Sequence, residues 1–399
     1  MLVLFISSGL FLGWSLGAND ASNIFGSAVG SRMVSFTRAA IIASVFVIIG
    51  AVMQGEGASN TLGKLGTVNA IGGSFTIALA AALTVYLMTK ASLPVSSTQA
   101  IVGAIIGWNL FTGNAIEMHS LTQILISWII SPLLGAAFAL ILYHLLKVWR
   151  KNTRTHLFRY EARIKLGLIL ACAFGAYSLG ANNIANVMGV FVPSMSLNDA
   201  SFTLFTLSGG QQLFLLGGIA IAAGILTYSK KVINTLGNNL LELSSEAALV
   251  VVLSQSLVLF IFSSASLASL AWKAGINIPL VPVSSTQVVV GAILGIGLYK
   301  GIRNINFKLL GGIASGWVTT PVIAGIIGFF LLFFVKNLFG IDVGHAVNPA
   351  VHSATSLNEN NFIRNSIIVL LIIAAAYLIY LVLKEKNKSK RLNESGSLR

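Results

Sequence analysis

Uncharged apolar stretches recur along almost the whole chain, separated by short polar turns. In the second half they cover Leu166 to Asn198, Ala200 to Ser229, Ala247 to Trp272, Ala274 to Tyr299 and Leu309 to Val335. In the first half they cover Met1 to Asn19, Ala39 to Gly55, Ile71 to Thr89, Ala91 to Ile116 and Leu121 to Leu146, and a last one, Ile367 to Leu383, precedes the C-terminal tail. A helix needs about 20 residues to cross a hydrocarbon core of about 30 Å, and about eleven windows approach that length. The pattern predicts an all-α polytopic membrane protein of about 10–12 membrane segments, some of them broken helices or re-entrant hairpins.

Composition sharpens this reading. Of 399 residues, 56% are hydrophobic and 9% charged, where a soluble domain carries roughly 25% charged residues. A soluble enzyme is excluded. The single cysteine, Cys172, lies in an apolar run, so neither a disulfide framework nor a cysteine metal cluster can form. The formal charge of +14 does not point to nucleic acid, because the cations fall between apolar runs and in the tail rather than on a soluble face. They mark topology instead. Lys147 to Lys165 holds seven Lys or Arg against Glu161 and is expected in the cytoplasm. The chain therefore divides into a first membrane repeat (1–146), a basic cytoplasmic loop (147–165), a second membrane repeat (166–383) and a basic, disordered tail (384–399). Met1 to Gly17 lacks the basic start of a signal peptide and is read as a mature segment.

Two motifs occur twice. SLGAN at Ser15 to Asn19, followed by Asn23 and Gly26, returns at Ser178 to Asn182, followed by Asn186 and Gly189, at a constant offset of 163. PVSSTQ at Pro94 to Gln99, followed by VGAI, returns at Pro282 to Gln287 at an offset of 188. Arg32 and Arg38 follow the first SLGAN copy, whereas the loop Pro193 to Asp199 after the second has no Lys or Arg. The same motif thus exits on opposite sides in the two halves, the signature of an inverted-topology repeat.

These motifs carry the candidate chemistry. Asn19, Asp20 and Asn23 in the first copy, and Asn182, Asn183 and Asn186 in the second, set carboxamides and one carboxylate among apolar residues, where every polar group needs a partner. The i, i+4 spacing puts Asn19 with Asn23, and Asn182 with Asn186, on one helix face. Hard oxygen ligands suit Na+, and the glycines beside them allow backbone carbonyls to turn toward the site. For one such Asn, interhelical hydrogen bonding is the commoner role; Asp20 and the duplication favour ion binding. In PVSSTQ a proline opens a helix and Ser, Ser, Thr and Gln crowd donors around its first turn, an arrangement that attracts anions. Ser96, Ser97, Thr98 and Gln99, with Ser284, Ser285, Thr286 and Gln287, are the candidate anion-binding residues. Ordinary N-capping by Ser is the competing reading. Neither hexapeptide contains a cation, so an anion there would need cations bound with it, which implies symport.

Other candidates are weaker. Glu242 and Glu246 are i, i+4 but near a helix entry, where solvation is as good an explanation; Lys90 and Lys273 are expected to snorkel to an interface. His345 and His352 are too far apart for a standard zinc pair.

At its duplicated motifs the chain resembles the inorganic phosphate transporter family of cation-coupled symporters. The resemblance rests on GAND at Gly17 to Asp20, KKVINTLG at Lys230 to Gly237 and both PVSSTQ segments. It implies inorganic phosphate as substrate, Na+ as coupling ion with no other cofactor, a multi-pass protein of the cytoplasmic membrane, an inverted-repeat fold and a homodimer. By motif, Asn19, Asp20, Asn23, Asn182, Asn183 and Asn186 would contact cation and phosphate, and both hexapeptides would cradle phosphate. The chain departs from the family where Asn183 replaces a frequent Asp, where Val47 stands for a frequent Glu, and at Gln99 and Gln287, where some relatives have His. The first two departures bear on ion stoichiometry. Alternatives are H+-coupled transport of phosphate or metal phosphate, Na+/sulfate symport, and an anion channel with hydroxyl rings as its filter. An enzyme is disfavoured, since no His or carboxylate is close in sequence to either serine-rich segment.

Overall fold

The computed structural model describes residues 2–66, 68–90, 95–152, 156–195, 197–201, 206–236, 243–301 and 307–345. The apolar window 367–383, the basic tail, Pro94, Glu242 and His352 lie outside the described residues. The first half forms α1 (Leu2–Gly30), α2 (Phe36–Gln54), α3 (Glu56–Leu65), α4 (Ile71–Lys90), α5 (Ser97–Thr112) and α6 (Met118–Asn152). The second forms α7 (Leu157–Met188), α8 (Gly209–Thr227), α9 (Ser229–Leu236), α10 (Ser245–Ser263), α11 (Ala265–Lys273), α12 (Ser285–Lys300) and α13 (Phe307–Phe339). A hairpin of two-residue strands, β1 (Ala200–Ser201) and β2 (Thr206–Leu207), precedes α8.

Among the described residues seven helices are long and apolar enough to cross a membrane, namely α2, α4, α6, α7, α8, α10 and α13. α5 and α12 have 16 residues each, about 24 Å, too short to span alone. The windows Ala91 to Ile116 and Ala274 to Tyr299 thus contain half-length helices that start only at Ser97 and Ser285. The window Ala247 to Trp272 is also cut, at Ser264, whose hydroxyl accepts from the Leu267 N–H and opens α11. Most of the basic run 147–165 is helical rather than loop: it forms the last turns of α6 and the first turns of α7.

The two halves pack by exchange. α2 lies on α7 and α8 on α1; α5 lies on α13 and α12 on α6. Glycines mark the crossings. A Cβ on Gly17 or Gly180 would collide with the carbonyl oxygen of Ile221 or Val47, and one on Gly224 or Gly50 with that of Trp14 or Tyr177. Each pair is the other's repeat mate. Such close backbone approach is how small residues hold membrane helices together. Gly9 and Gly13 of α1 face Val187, while Gly175 of α7 faces Ile24, so α1 and α7 run antiparallel. That is the relation an inverted repeat requires of its equivalent helices.

A third repeat is easily overlooked in sequence because only two positions are identical: Trp128-x-x-Ser131-Pro132 in α6 and Trp317-x-x-Thr320-Pro321 in α13. Proline removes one helical hydrogen bond and bends the helix. The Pro132 carbonyl packs where Gly291 of α12 has no side chain, and the Pro321 carbonyl does the same at Gly103 of α5. One turn on, Gly295 meets Ala136 and Gly107 meets Gly325. Each short helix is therefore seated on a long proline-containing one belonging to the other half.

Glu246 corrects a sequence expectation, since it is not a solvated helix end. It is 8% exposed in the first turn of α10, and its carboxylate accepts from Arg150 at 2.6 Å, Tyr160 at 2.7 Å and Lys147 at 3.1 Å. The group ties α6, α7 and α10 together at the end where the basic run lies. Glu246→Ala should lower stability by about 2 kcal/mol rather than the full cost of a buried ion pair, because Lys147 and Arg150 are partly exposed and can rehydrate. A thermal melt of the purified protein measures this. Lys90 and Lys273 end α4 and α11 and are exposed, as snorkelling residues would be.

Candidate functional site

Both SLGAN segments lie inside continuous helices. α1 runs unbroken through Gly17 to Asn23 and α7 through Gly180 to Asn186, so the glycines do not turn carbonyls toward the site, as the sequence reading allowed; they permit the close crossings described above. The i, i+4 reading does hold, because both helices are regular there. Asn182, Asn183 and Asn186 are fully buried, Asn19 and Asp20 nearly so, and Asn23 half-buried.

The hexapeptides form helix starts. Ser96 and Ser284 are the N-caps of α5 and α12, each accepting from the backbone N–H three residues on, Gln99 at 3.2 Å and Gln287 at 3.3 Å. The capping reading therefore describes these two serines. Pro282 is not the first helical residue; it sits in the extended stretch two positions before the cap. What remains aimed inward is Ser97, Thr98 and Gln99 with Ser285, Thr286 and Gln287, all buried. The N–H groups of the first helical residues have no partner inside their own helix.

The repeat brings these four segments to one place. Asp20 accepts from the Asn19 amide at 2.6 Å on one oxygen, and from Ser97 at 3.0 Å and Asn183 at 2.9 Å on the other. Asp20 and Asn183 are equivalent positions of the repeat, and they touch. Asn23 donates to Ser285 at 3.3 Å and Thr286 at 3.2 Å; in the mirrored contact Asn186 donates to Thr98 at 2.9 Å. Thr98 donates to the Val283 carbonyl and Thr286 to the Val95 carbonyl, so each hexapeptide reaches the backbone of the other. Asn19 holds the Val95 carbonyl, and Asn182 bridges Val281 and Val283, fixing the extended segments ahead of both helix starts.

Several buried amide oxygens in this centre have no donor: Asn183, Asn186, Gln99 and Gln287. A buried carbonyl without a partner is costly, and a bound cation is one way to satisfy it. The donors are hydroxyls and helix N-termini, the acceptors amide oxygens and one carboxylate, and no cationic side chain takes part. The chemistry on offer is the joint binding of an oxyanion and a hard cation. Sequence reasoning missed Thr89, whose hydroxyl approaches the Asn19 amide oxygen at 3.5 Å, and outside this cluster it passed over Gln255 of α10, fully buried with neither amide atom bonded. A glutamine in the middle of an apolar run was the available signal for Gln255.

Elsewhere, His345 lies 3.7 Å from Asp342. The Cys172 thiol is buried and faces the Ile24 carbonyl.

A buried polar centre assembled where two duplicated halves exchange helices, inside apolar spans, defines a polytopic membrane transporter. The profile of the phosphate transporter family (PHO4) matches residues 16–267 and 255–397. A "Putative phosphate permease" of Methanocaldococcus jannaschii is 30% identical over 80% of this chain and 93% of its own length. A relative of the same name from Thermococcus kodakarensis is 25% identical over 83% of this chain and 96% of its own length. Among solved structures, one titled "The sodium-dependent phosphate transporter" superposes with a TM-score of 0.70 at 23% identity, covering 84% of this chain and 98% of that one, which fixes the shared fold. The chain belongs to the phosphate transporter family, and its activity is phosphate transport across a membrane.

Proposed function

We propose that the chain is a Na+-coupled phosphate symporter working by alternating access. The observation that carries this reading is the contact of Asp20 with Ser97 and Asn183, which sets one carboxylate between two helix starts that favour anions. Phosphate beside Asp20 is repelled. Two unit charges 4 Å apart at an effective dielectric constant of 20 oppose each other by about 4 kcal/mol. Na+ held by Asp20 and by the amide oxygens of Asn19, Asn23, Asn182, Asn183 and Asn186 would offset that repulsion, so each ligand raises the affinity for the other. Phosphate would be taken by the hydroxyls of Ser97, Thr98, Ser285 and Thr286, the amides of Gln99 and Gln287, and the N–H groups that open α5 and α12. Ser96 and Ser284 would act by shaping those helix starts. The exchange of helices between halves supports the alternating motion, because it provides two units that can rock about one centre.

Uptake of radiolabelled phosphate into proteoliposomes tests the reading, with an inward Na+ gradient, with K+ in its place, and with a pH gradient alone. The expected result is uptake that requires Na+. In Ser97→Ala/Ser285→Ala protein KM for phosphate should rise about a hundredfold, the loss of two charge-assisted hydrogen bonds. Uptake driven by the pH gradient alone would overturn the cation, and sulfate competing as well as unlabelled phosphate would overturn the selectivity.

A further inference from the structure

A second basic site lies away from the transport centre. Where α1 ends, the chain turns sharply before α2, and the turn faces α7 at Lys165 and Ile169. A cavity of about 520 Å³ opens there, lined by Val29, Arg32, Met33, Ser35, Phe36, Arg38, Val34, Lys165 and Ile169. Arg32, Arg38 and Lys165 border it from three different elements. None of the lining residues is acidic, and among the described residues none of the three cations makes an ion pair. Lys230 of α9 adds a fourth positive charge beside the rim, 5.7 Å from the centre of the Phe36 ring. Glu161, one turn before Lys165 on α7, is exposed and pairs with none of them.

Three cations around one cavity repel one another unless an anion joins them. The turn is also held in an unfavourable shape. Arg32 has φ 58°, left-handed backbone that a non-glycine residue seldom adopts, and it is fixed by Arg32 N–H to Val29 at 3.0 Å and Val34 N–H to Ala28 at 3.3 Å. Apart from Ser35 the rest of the lining is apolar, so the cleft suits a ligand with a charged head and a greasy base. Its depth agrees. The cleft lies about 15 Å along α1 from Asp20, and beside the basic run that the charge rule assigns to the cytoplasmic surface.

We propose that this cleft is a binding site for a phosphate group at the cytoplasmic surface, filled by the headgroup of an acidic phospholipid. Arg38 and Lys165 clamp the phosphate, Arg32 and Ser35 close over it, and the glycerol and upper acyl chain lie on Val29, Met33, Phe36 and Ile169. Basic clefts between membrane helices on this side are the usual seats of acidic lipids.

Native mass spectrometry of the purified protein, titrated with phosphatidylglycerol or phosphatidylcholine, tests this. Wild-type protein should retain phosphatidylglycerol selectively, and Arg38→Gln/Lys165→Gln should bind it about thirtyfold more weakly. Arg38→Lys/Lys165→Arg, which keeps the charges, should retain selectivity. Displacement of the lipid by inorganic phosphate would leave the anion site in place and assign it to free phosphate. Equal retention of phosphatidylcholine, an unchanged affinity in the glutamine variant, or a wild-type affinity that does not fall in high salt would overturn the proposal. The readout is lipid binding, so it stands apart from the outcome of the uptake experiment.

Discussion

Asp20→Asn should abolish Na+-driven phosphate accumulation while leaving a folded protein in the membrane. Asparagine has the shape of aspartate, and its amide oxygen can still accept one of the hydrogen bonds now given by Asn19, Ser97 and Asn183. The negative charge is lost. If Asp20 is the anionic ligand of Na+, its attraction at about 4 Å contributes about 4 kcal/mol, so Na+ affinity should fall about a thousandfold. Counterflow of phosphate without any ion gradient, measured beside driven uptake, separates coupling from binding: driven uptake should vanish, and residual exchange should no longer depend on Na+. Retention of Na+ dependence in the variant would remove Asp20 from the cation site.

The largest loss of stability is expected from a change that adds a single carbon. In Gly180→Ala the new Cβ would overlap the Val47 carbonyl, so α2 and α7 must move apart. Neither neighbour is the flexible end of a side chain; both are helical backbone. Overpacking of this kind costs about 3 kcal/mol, and here it also shifts the helix that bears Asn182, Asn183 and Asn186. Gly17→Ala should behave alike, since it meets Ile221 in the same way. Gly312→Ala is the control: nothing lies within 4 Å of its Cβ position, and alanine there should be neutral or favour the helix by up to about 1 kcal/mol. Thermal melts of the three variants in one detergent would show two large drops and no drop for the control.

The duplicated motifs made the buried polar centre legible in sequence, because SLGAN and PVSSTQ are identical copies and identity survives inspection without an alignment. Equivalence was visible, but adjacency was not. No property of Asn23 says that its partner is Thr286 of the other half rather than Thr98 of its own; that follows from the exchange of helices, which is a long-range packing result. The Trp-x-x-Ser/Thr-Pro repeat was hidden for a different reason. Its two shared positions, Trp and Pro, are set among differing residues, and two matches in five are too few to stand out until the packing of each proline carbonyl on a glycine is known. Hydropathy windows also overstated length: the polar first turns of α5 and α12 are uncharged, so the windows began well ahead of the helix starts at Ser97 and Ser285. The helical ends at Lys147 to Lys165 were misread as loop because charge density, which sets the side of the membrane, says nothing about backbone conformation.

The meeting of Asp20 with Asn183 has a consequence for the energy of the two facing states. Two identical halves related by inversion would make the outward-open and inward-open shapes images of each other, equal in energy, with no resting preference. The halves of this chain differ at many positions, and where they touch the difference is one oxygen for one amino group, so under the proposed alternating motion the two shapes need not be equal in energy. Asn183→Asp would remove that local difference while leaving the others, and it would set a second carboxylate against Asp20.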